Sequence, residues 1–256
     1  MSSLREYLEK LTSAPTAEAL WKLHCEKMAE FGFDRIIYGF THFMSEHSMG
    51  DPEDFVLLTN QDPDYMKEFM GKQLYRKAPM VRWALNNVGA RSWGHIGEEM
   101  ARGTLTDAEK QVLEMNHAFG VVAGYSISFK AITSRSKGAI ALTARKGMTQ
   151  ADADAVWEEH GDDIILMNNV AHLKIVTLPH QSNGRSLTSR QREALEWVGD
   201  GKTTQDIAML MGLRAATVEK HLRLAREVLS VETTAQAVLK ASFQNQMFIV
   251  DGIGSA

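Results

Sequence analysis

The chain has 256 residues, 44% of them hydrophobic and 23% charged, a globular composition long enough for two domains. A net charge of −4 argues against a general affinity for nucleic acid, and the lone Cys25 excludes an internal disulfide framework and any multi-cysteine zinc site. The opening MSSLREYLEK is charged where an export signal needs an apolar core, and no apolar run approaches the ~20 residues that span a bilayer. A cytoplasmic location with no membrane association is therefore expected.

Residues 2–31 predict two helices. Thr16 can cap the second, in which Leu20, Leu23, Met28 and Phe31 face inward and Glu18, Lys22, Glu26 and Lys27 face outward. Strands are expected from Asp34 to Met44 and from Asp54 to Leu58, separated by a turn at Gly50-Asp51-Pro52. A helix follows from Gln61 to Tyr75 with Pro63 in its first turn, and a shorter one from Pro79 to Asn87. A glycine-rich connection carries Trp93. Thr106 and Glu109 form a capping-box pattern for the next helix, which Gly120 ends. Val121–Ile132 and Gly138–Ala144 predict two more strands, and Thr149 caps a long helix towards Val176. The polar stretch 178–186 is a linker.

The expected fold class is thus α+β. An N-terminal α/β/α sandwich with an antiparallel sheet occupies 1–177, and an all-α helix-turn-helix domain of four helices occupies 187–256. The strand GAIALTA has small side chains at Gly138, Ala139 and Ala141. They leave volume above the sheet, either for a closely packed helix or for a small apolar ligand among aromatic side chains.

Charge is unevenly placed. From Asn183 onward there are nine Lys/Arg and eight Asp/Glu, against 19 and 24 in the remainder. Phosphate contacts must therefore come from local placement. In Leu187–Val238, Thr203 caps a helix from Thr204 to Met211, and Gly212 ends it. The next helix starts near Ala215. Val218, Leu222, Ala225 and Leu229 form one buried stripe, and Glu219, Lys220, Arg223 and Arg226 project from the other side. A small bundle with a solvated charged face would show the same pattern.

The residues Leu187, Thr188, Arg190, Glu193, Leu195 and Trp197, Gly201-Lys202-Thr203, Ile207-Ala208, Thr217-Val218, His221, Leu229, Val231 and Gln236-Ala237-Val238 resemble the DNA-binding domain of LuxR-type transcription regulators. The resemblance implies a four-helix domain whose third helix enters the major groove. It implies base contacts at Glu219, Lys220 and Arg223, and phosphate contacts at Lys202, Thr203, Thr204 and His221. Gln191 stands where the family usually has an acid, Leu224 replaces a common Asn, Val228 a common Lys, and Thr233-Thr234 a common Asn-Arg pair. A homodimer on a two-fold operator is expected, because two readers reach half-sites about one helical turn, or a multiple, apart.

Upstream, Tyr65, Phe69, Ala78, Pro79, Trp93 and Gly124, with Phe119-Gly120, are similar in spacing to the acyl-homoserine-lactone-binding domain of the same regulators. That family usually has Trp, Tyr and Asp where this chain has Tyr65, Phe69 and Ala78. There the Trp donates to the lactone carbonyl, the Tyr hydroxyl reaches the acyl carbonyl, and the Asp accepts from the amide N–H. Phe69 and Ala78 offer no polar side chain. The resemblance therefore implies a ligand pocket, formed by Thr41, Tyr65, Phe69, Ala78, Trp93 and Thr143, for a molecule other than a standard acyl-homoserine lactone. The alternative is a packed, ligand-independent core under a protein partner's control.

No HExxH, phosphate-binding glycine loop or GxSxG occurs. No acid/base constellation supports a metabolite-converting enzyme fused to a DNA reader, so neither catalysis nor a cofactor is expected. His42 and His47 share no strand face and make no metal pair, and the acidic run Ala151–Asp163 reads as a solvated helix face.

Overall fold

The computed structural model describes residues 3–45, 48–131, 133–180 and 186–249. Two compact units emerge, the first ending at Val176 and the second taking Pro15–Ala17 with the chain from Thr177 onward.

The first unit is built on five antiparallel strands: β1 (Arg35–Thr41), β2 (Val56–Thr59), β3 (Gly89–Ser92), β4 (Gly124–Ser128) and β5 (Lys137–Thr143), in the order β2-β1-β5-β4-β3. Helices α1 (Leu4–Thr12), α2 (Ala17–Glu30) and α7 (Gln150–Ile175) form one outer layer. Helices α3 (Pro63–Gly71), α4 (Pro79–Asn86), α5 (Gly94–Ala101) and α6 (Asp107–Ala118) form the other. Strand periodicity divides the side chains between the two faces. Tyr38 of β1 and Tyr125 of β4 point towards α7, where Tyr38 Oη bonds His172 Nδ1 at 2.9 Å and Tyr125 stacks on Trp157 at 3.9 Å. Ile37, Gly39 and Thr41 of β1, with Ala139, Ala141 and Thr143 of β5, point the other way.

Several elements differ from the sequence expectation for identifiable reasons. The connection around Trp93 is the edge strand β3 followed by α5. Four residues beginning at a glycine with φ +97° carry too short a pattern to announce a strand. The helix expected to reach Tyr75 stops at Gly71, and Leu74–Lys77 is a 3-10 turn, because Gln73 adopts a left-handed conformation with φ 54°. Strand Val121–Ile132 contracts to β4, and its expected last residue, Ile132, lies outside the described residues. So do 181–185 of the linker and the tail 250–256.

Lys27 is not on the outer face. α2 buries Leu20, Trp21, His24, Lys27 and Met28, and its two polar members are accommodated by partners. Lys27 Nζ meets Glu30 at 2.6 Å. His24 Nδ1 lies 2.6 Å from Tyr7 Oη, and its Nε2 lies 3.1 Å from Asn168 Oδ1. A carbonyl oxygen only accepts, so Nε2 carries the proton and the Tyr7 hydroxyl donates to Nδ1.

The acidic run is not wholly solvated either. Asp152 closes the capping box of α7 with Thr149, but Asp154 accepts from Tyr125 Oη at 2.7 Å, Ser92 Oγ at 2.8 Å and Gln150 Nε2 at 2.8 Å. These bonds tie α7 to β3 and β4. Gly124 adjoins the junction with φ +153°, where an added Cβ would stand 2.1 Å from the Leu142 carbonyl oxygen, so only glycine fits. The Gly124 carbonyl in turn accepts from the Trp93 N–H at 3.0 Å and places that residue.

The second unit contains α8 (Ser189–Gly199), α9 (Thr204–Met211), α10 (Ala215–Val228) and α11 (Thr234–Phe243). Leu195, Ile207, Val218, Leu222, Ala225, Leu229, Ala237 and Ala241 are among the residues of its buried core. Three helices open with capping boxes, Thr188/Gln191, Thr203/Asp206 and Thr233/Gln236. Gln191 thus keeps the capping hydrogen bond without the charge of the usual acid. Gly212, with φ +65°, turns the chain from α9 into α10.

Candidate functional site

A cavity of about 160 Å³ lies between the sheet and the layer of α3, α4 and Trp93. Its floor is low where the register sets Gly39 opposite Ala139, and rises at Ile37, which faces Ala141. A Cβ built on Gly39 meets nothing within 4 Å. Gly138 was expected to share this role, but its missing side chain would point to the other face, 2.9 Å from His172 Cε1. Its contribution to the cavity is backbone. Tyr65, Phe69 and Met70 of α3, Tyr75, and Met80, Val81, Ala84 and Leu85 of α4 form the roof. Arg82 holds α4 to its neighbours through Glu99 at 2.7 Å and Glu109 at 2.8 Å.

Of the six pocket positions expected from sequence, Thr41, Tyr65, Phe69, Trp93 and Thr143 line this cavity. Ala78 is buried beside it at the N-cap of α4, does not line it, and gives that helix no side-chain cap. Tyr65 stacks on Phe69 with ring centres 5.4 Å apart. Its hydroxyl donates to Asn116 Oδ1 at 3.0 Å, and burial raises its pKa, keeping the phenol protonated. Trp93 Nε1 donates to Ser126 Oγ at 2.9 Å.

Two lining residues were not legible as such. Gln61 reads as the polar opening of a helix, yet it is buried and its Nε2 donates to Thr143 Oγ1 at 3.0 Å. Lys137 falls in the polar stretch between the expected strands Val121–Ile132 and Gly138–Ala144, yet it starts β5 and lines the cavity directly opposite Thr41. No local signal marks either residue, since each joins the cavity only through strand register and helix packing. Thr143 lies six residues from Lys137, about 20 Å along the strand at ~3.3 Å per residue. The cavity therefore has polar groups at both ends, with Gln61 and Thr143 at one and Thr41 and Lys137 at the other. Among the described residues, no carboxylate lines it.

In the second unit, Lys202, Lys220 and Arg223 are exposed on or beside the helix-turn-helix, and His221 is half-buried. Thr203 spends its hydroxyl on Asp206, 2.6 Å away. Thr204 Oγ1 donates to Glu219 at 2.9 Å, joining α9 to α10, and Arg223 pairs with Glu227 one turn on. Thr234 accepts from Arg226 at 2.9 Å, which gives this departure from the family pattern a structural role. His42 packs edge-on against Phe40 with ring centres 4.6 Å apart, and His47 lies outside the described residues.

The aromatic-roofed cavity on an antiparallel sheet, followed by a capped helix-turn-helix, defines a ligand-sensing DNA-binding regulator. The chain belongs to the autoinducer-binding domain family, which it matches over residues 16–175, and residues 185–241 match the bacterial regulatory proteins of the luxR family. It is a LuxR-type transcription regulator with an N-terminal ligand-binding domain and a C-terminal DNA-binding domain. The transcriptional activator AhyR of Aeromonas hydrophila is 26% identical over 242 residues, covering 93% of this chain and 89% of that protein. AnoR of Acinetobacter nosocomialis, also a transcriptional activator, is 23% identical over 217 residues, covering 83% and 85%. The solved structure of SdiA in complex with octanoyl-rac-glycerol shares the fold, with a TM-score of 0.52 at 16% identity, covering 95% of this chain and 97% of that one. Among the described residues, no helix is long and apolar enough to cross a membrane.

Proposed function

We propose that this chain is a cytoplasmic, homodimeric regulator whose DNA binding is controlled by an amphipathic small molecule other than a standard acyl-homoserine lactone. Its domains are 1–177 and 187–256, joined by the linker 178–186. The observation that carries the ligand reading is a cavity that is apolar along its length, polar at both ends and, among the described residues, without a lining carboxylate. Thr41, Tyr65, Phe69, Trp93 and Thr143 contact the ligand, and Ala78 marks the lost amide acceptor. A buried amide left without its acceptor loses roughly 1–3 kcal/mol, or about 5- to 150-fold in affinity. Calorimetry with dodecanoyl-homoserine lactone tests this. The Phe69→Tyr/Ala78→Asp variant is expected to bind it more tightly than the native chain by a factor in that range. Native binding as tight as the variant's rejects the reading.

At the DNA, Lys220 and Arg223 reach bases or phosphates from α10. Lys202, Thr203 and His221 contact the backbone, and Thr204 braces Glu219, whose carboxylate suits a cytosine N4 donor. Replacing Lys202 by alanine removes one phosphate contact. The salt dependence of operator binding, measured by anisotropy, should flatten by about one unit of log–log slope. An unchanged slope removes Lys202 from the interface.

A further inference from the structure

We infer that the Lys137 end of the cavity is an anion subsite, so that the ligand is a long-chain carboxylic acid whose carboxylate sits between Lys137 and Thr41. This rests on the reading of the cavity as a ligand site and names the chemistry of one end of it.

Lys137 and Thr41 are directly paired across β5 and β1, so their side chains rise from the same face of the sheet. Both line the cavity. Lys137 Nζ donates to the Asn87 carbonyl at 2.8 Å, which anchors the ammonium at the cavity's edge while leaving it further N–H donors. Thr41 Oγ1 accepts from the Phe43 N–H at 3.1 Å, and its own O–H remains a donor. Two donors, one of them charged, therefore rise from paired positions on the cavity face, where, among the described residues, no acid lines the wall. Partial burial lowers the Lys137 pKa, so an incoming carboxylate restores what desolvation withdraws from the ammonium.

The rest of the cavity suits the remainder of such a molecule. From Lys137 the floor runs over Ala139, Gly39 and Ala141, whose side chains are no larger than methyl, with Ile37 beside Ala141 adding apolar contact for an extended alkyl chain. The path ends at Gln61 and Thr143, where a hydroxyl or keto oxygen at the far end of the chain finds a donor and an acceptor. The alternative is that Lys137 ties the start of β5 to Asn87 and has no part in binding.

Isothermal titration of the full chain with dodecanoate and with dodecan-1-ol separates the two. The acid is expected to bind roughly tenfold or more tightly than the alcohol, the contribution of a charge-assisted hydrogen bond. Lys137→Met should abolish that preference without weakening the alcohol, and Lys137→Arg should keep it. Equal binding of acid and alcohol by the native chain, or a preference that survives in Lys137→Met, overturns the inference. The two readings fail separately. A cavity that takes dodecanol without preferring the acid loses the role of Lys137 alone, whereas a chain that takes neither amphiphile loses the cavity reading as well.

Discussion

Replacing Gly39 by leucine is expected to abolish every ligand response of this regulator while raising its stability. Gly39 lies in the middle of β1 with an ordinary backbone conformation, and the space above it is empty to beyond 4 Å. A leucine there needs no backbone change and projects into a cavity of about 160 Å³. Filling it buries apolar surface worth roughly 1.5–3 kcal/mol and removes the entropic cost of glycine in a strand, about 0.5–1 kcal/mol. Thermal melting should shift upward by several degrees, and the further shift caused by dodecanol or dodecanoate should vanish. Gly39→Ala serves as the intermediate case. A variant that still shows the ligand-dependent shift would place the binding site elsewhere.

Acid should destabilise the first unit well before its carboxylates protonate. His24 is completely buried, its Nδ1 and Nε2 both engaged, and burial depresses its pKa from 6.5 to about 4. The unfolded chain therefore takes up a proton that the folded one refuses. The stabilising contribution is fully present above pH 6.5 and declines as the pH falls towards 4. Over that window the loss from His24 is roughly 3 kcal/mol, at 1.36 kcal/mol per unit. His172, half-buried between Tyr38 and Phe129, is depressed to about 4 by desolvation and acts in the same direction. Urea unfolding followed by circular dichroism from pH 7 to 4.5 measures the slope. His24→Gln, which keeps polar contacts but cannot titrate, should flatten it at the expense of stability at neutral pH. A slope identical in variant and native protein would show that His24 is not its source.

Local chemistry explains how much of the molecule could be read in advance. The helix-turn-helix is legible because its signals lie within a few residues of one another: Thr203 with Asp206, Gly212 at the turn, and the stripe Val218, Leu222, Ala225, Leu229. Strand alternation also sorts Thr41 and Thr143 onto the same face as Ala139 and Ala141, and helical spacing pairs Tyr65 with Phe69. The same alternation puts Gly138 on the face opposite Ala139 and Ala141, so grouping the three small residues above one face overlooks the strand period.

Where a buried polar group needs a distant partner, the sequence is silent. Lys27 looks like a solvent-facing residue until Glu30 meets it, and nothing marks His24 as buried until Tyr7 and Asn168 close on it. Asp154 looks like one charge in an acidic run until Ser92 and Tyr125 meet it. Composition, caps and periodicity determined the two-part α+β plan and the amphipathic helix from Ala215, because those depend on propensity and spacing along the chain, and the family resemblance added that helix's DNA-reading role and the pocket positions Tyr65 and Phe69. Only tertiary structure decided that Gln61 and Lys137 mark opposite ends of a cavity, that Ala78 lies outside its wall, and that Gly39 opens its floor. Those facts depend on the register of β1 against β5 and on the seating of α3 and α4 above them, long-range pairings that no local pattern encodes.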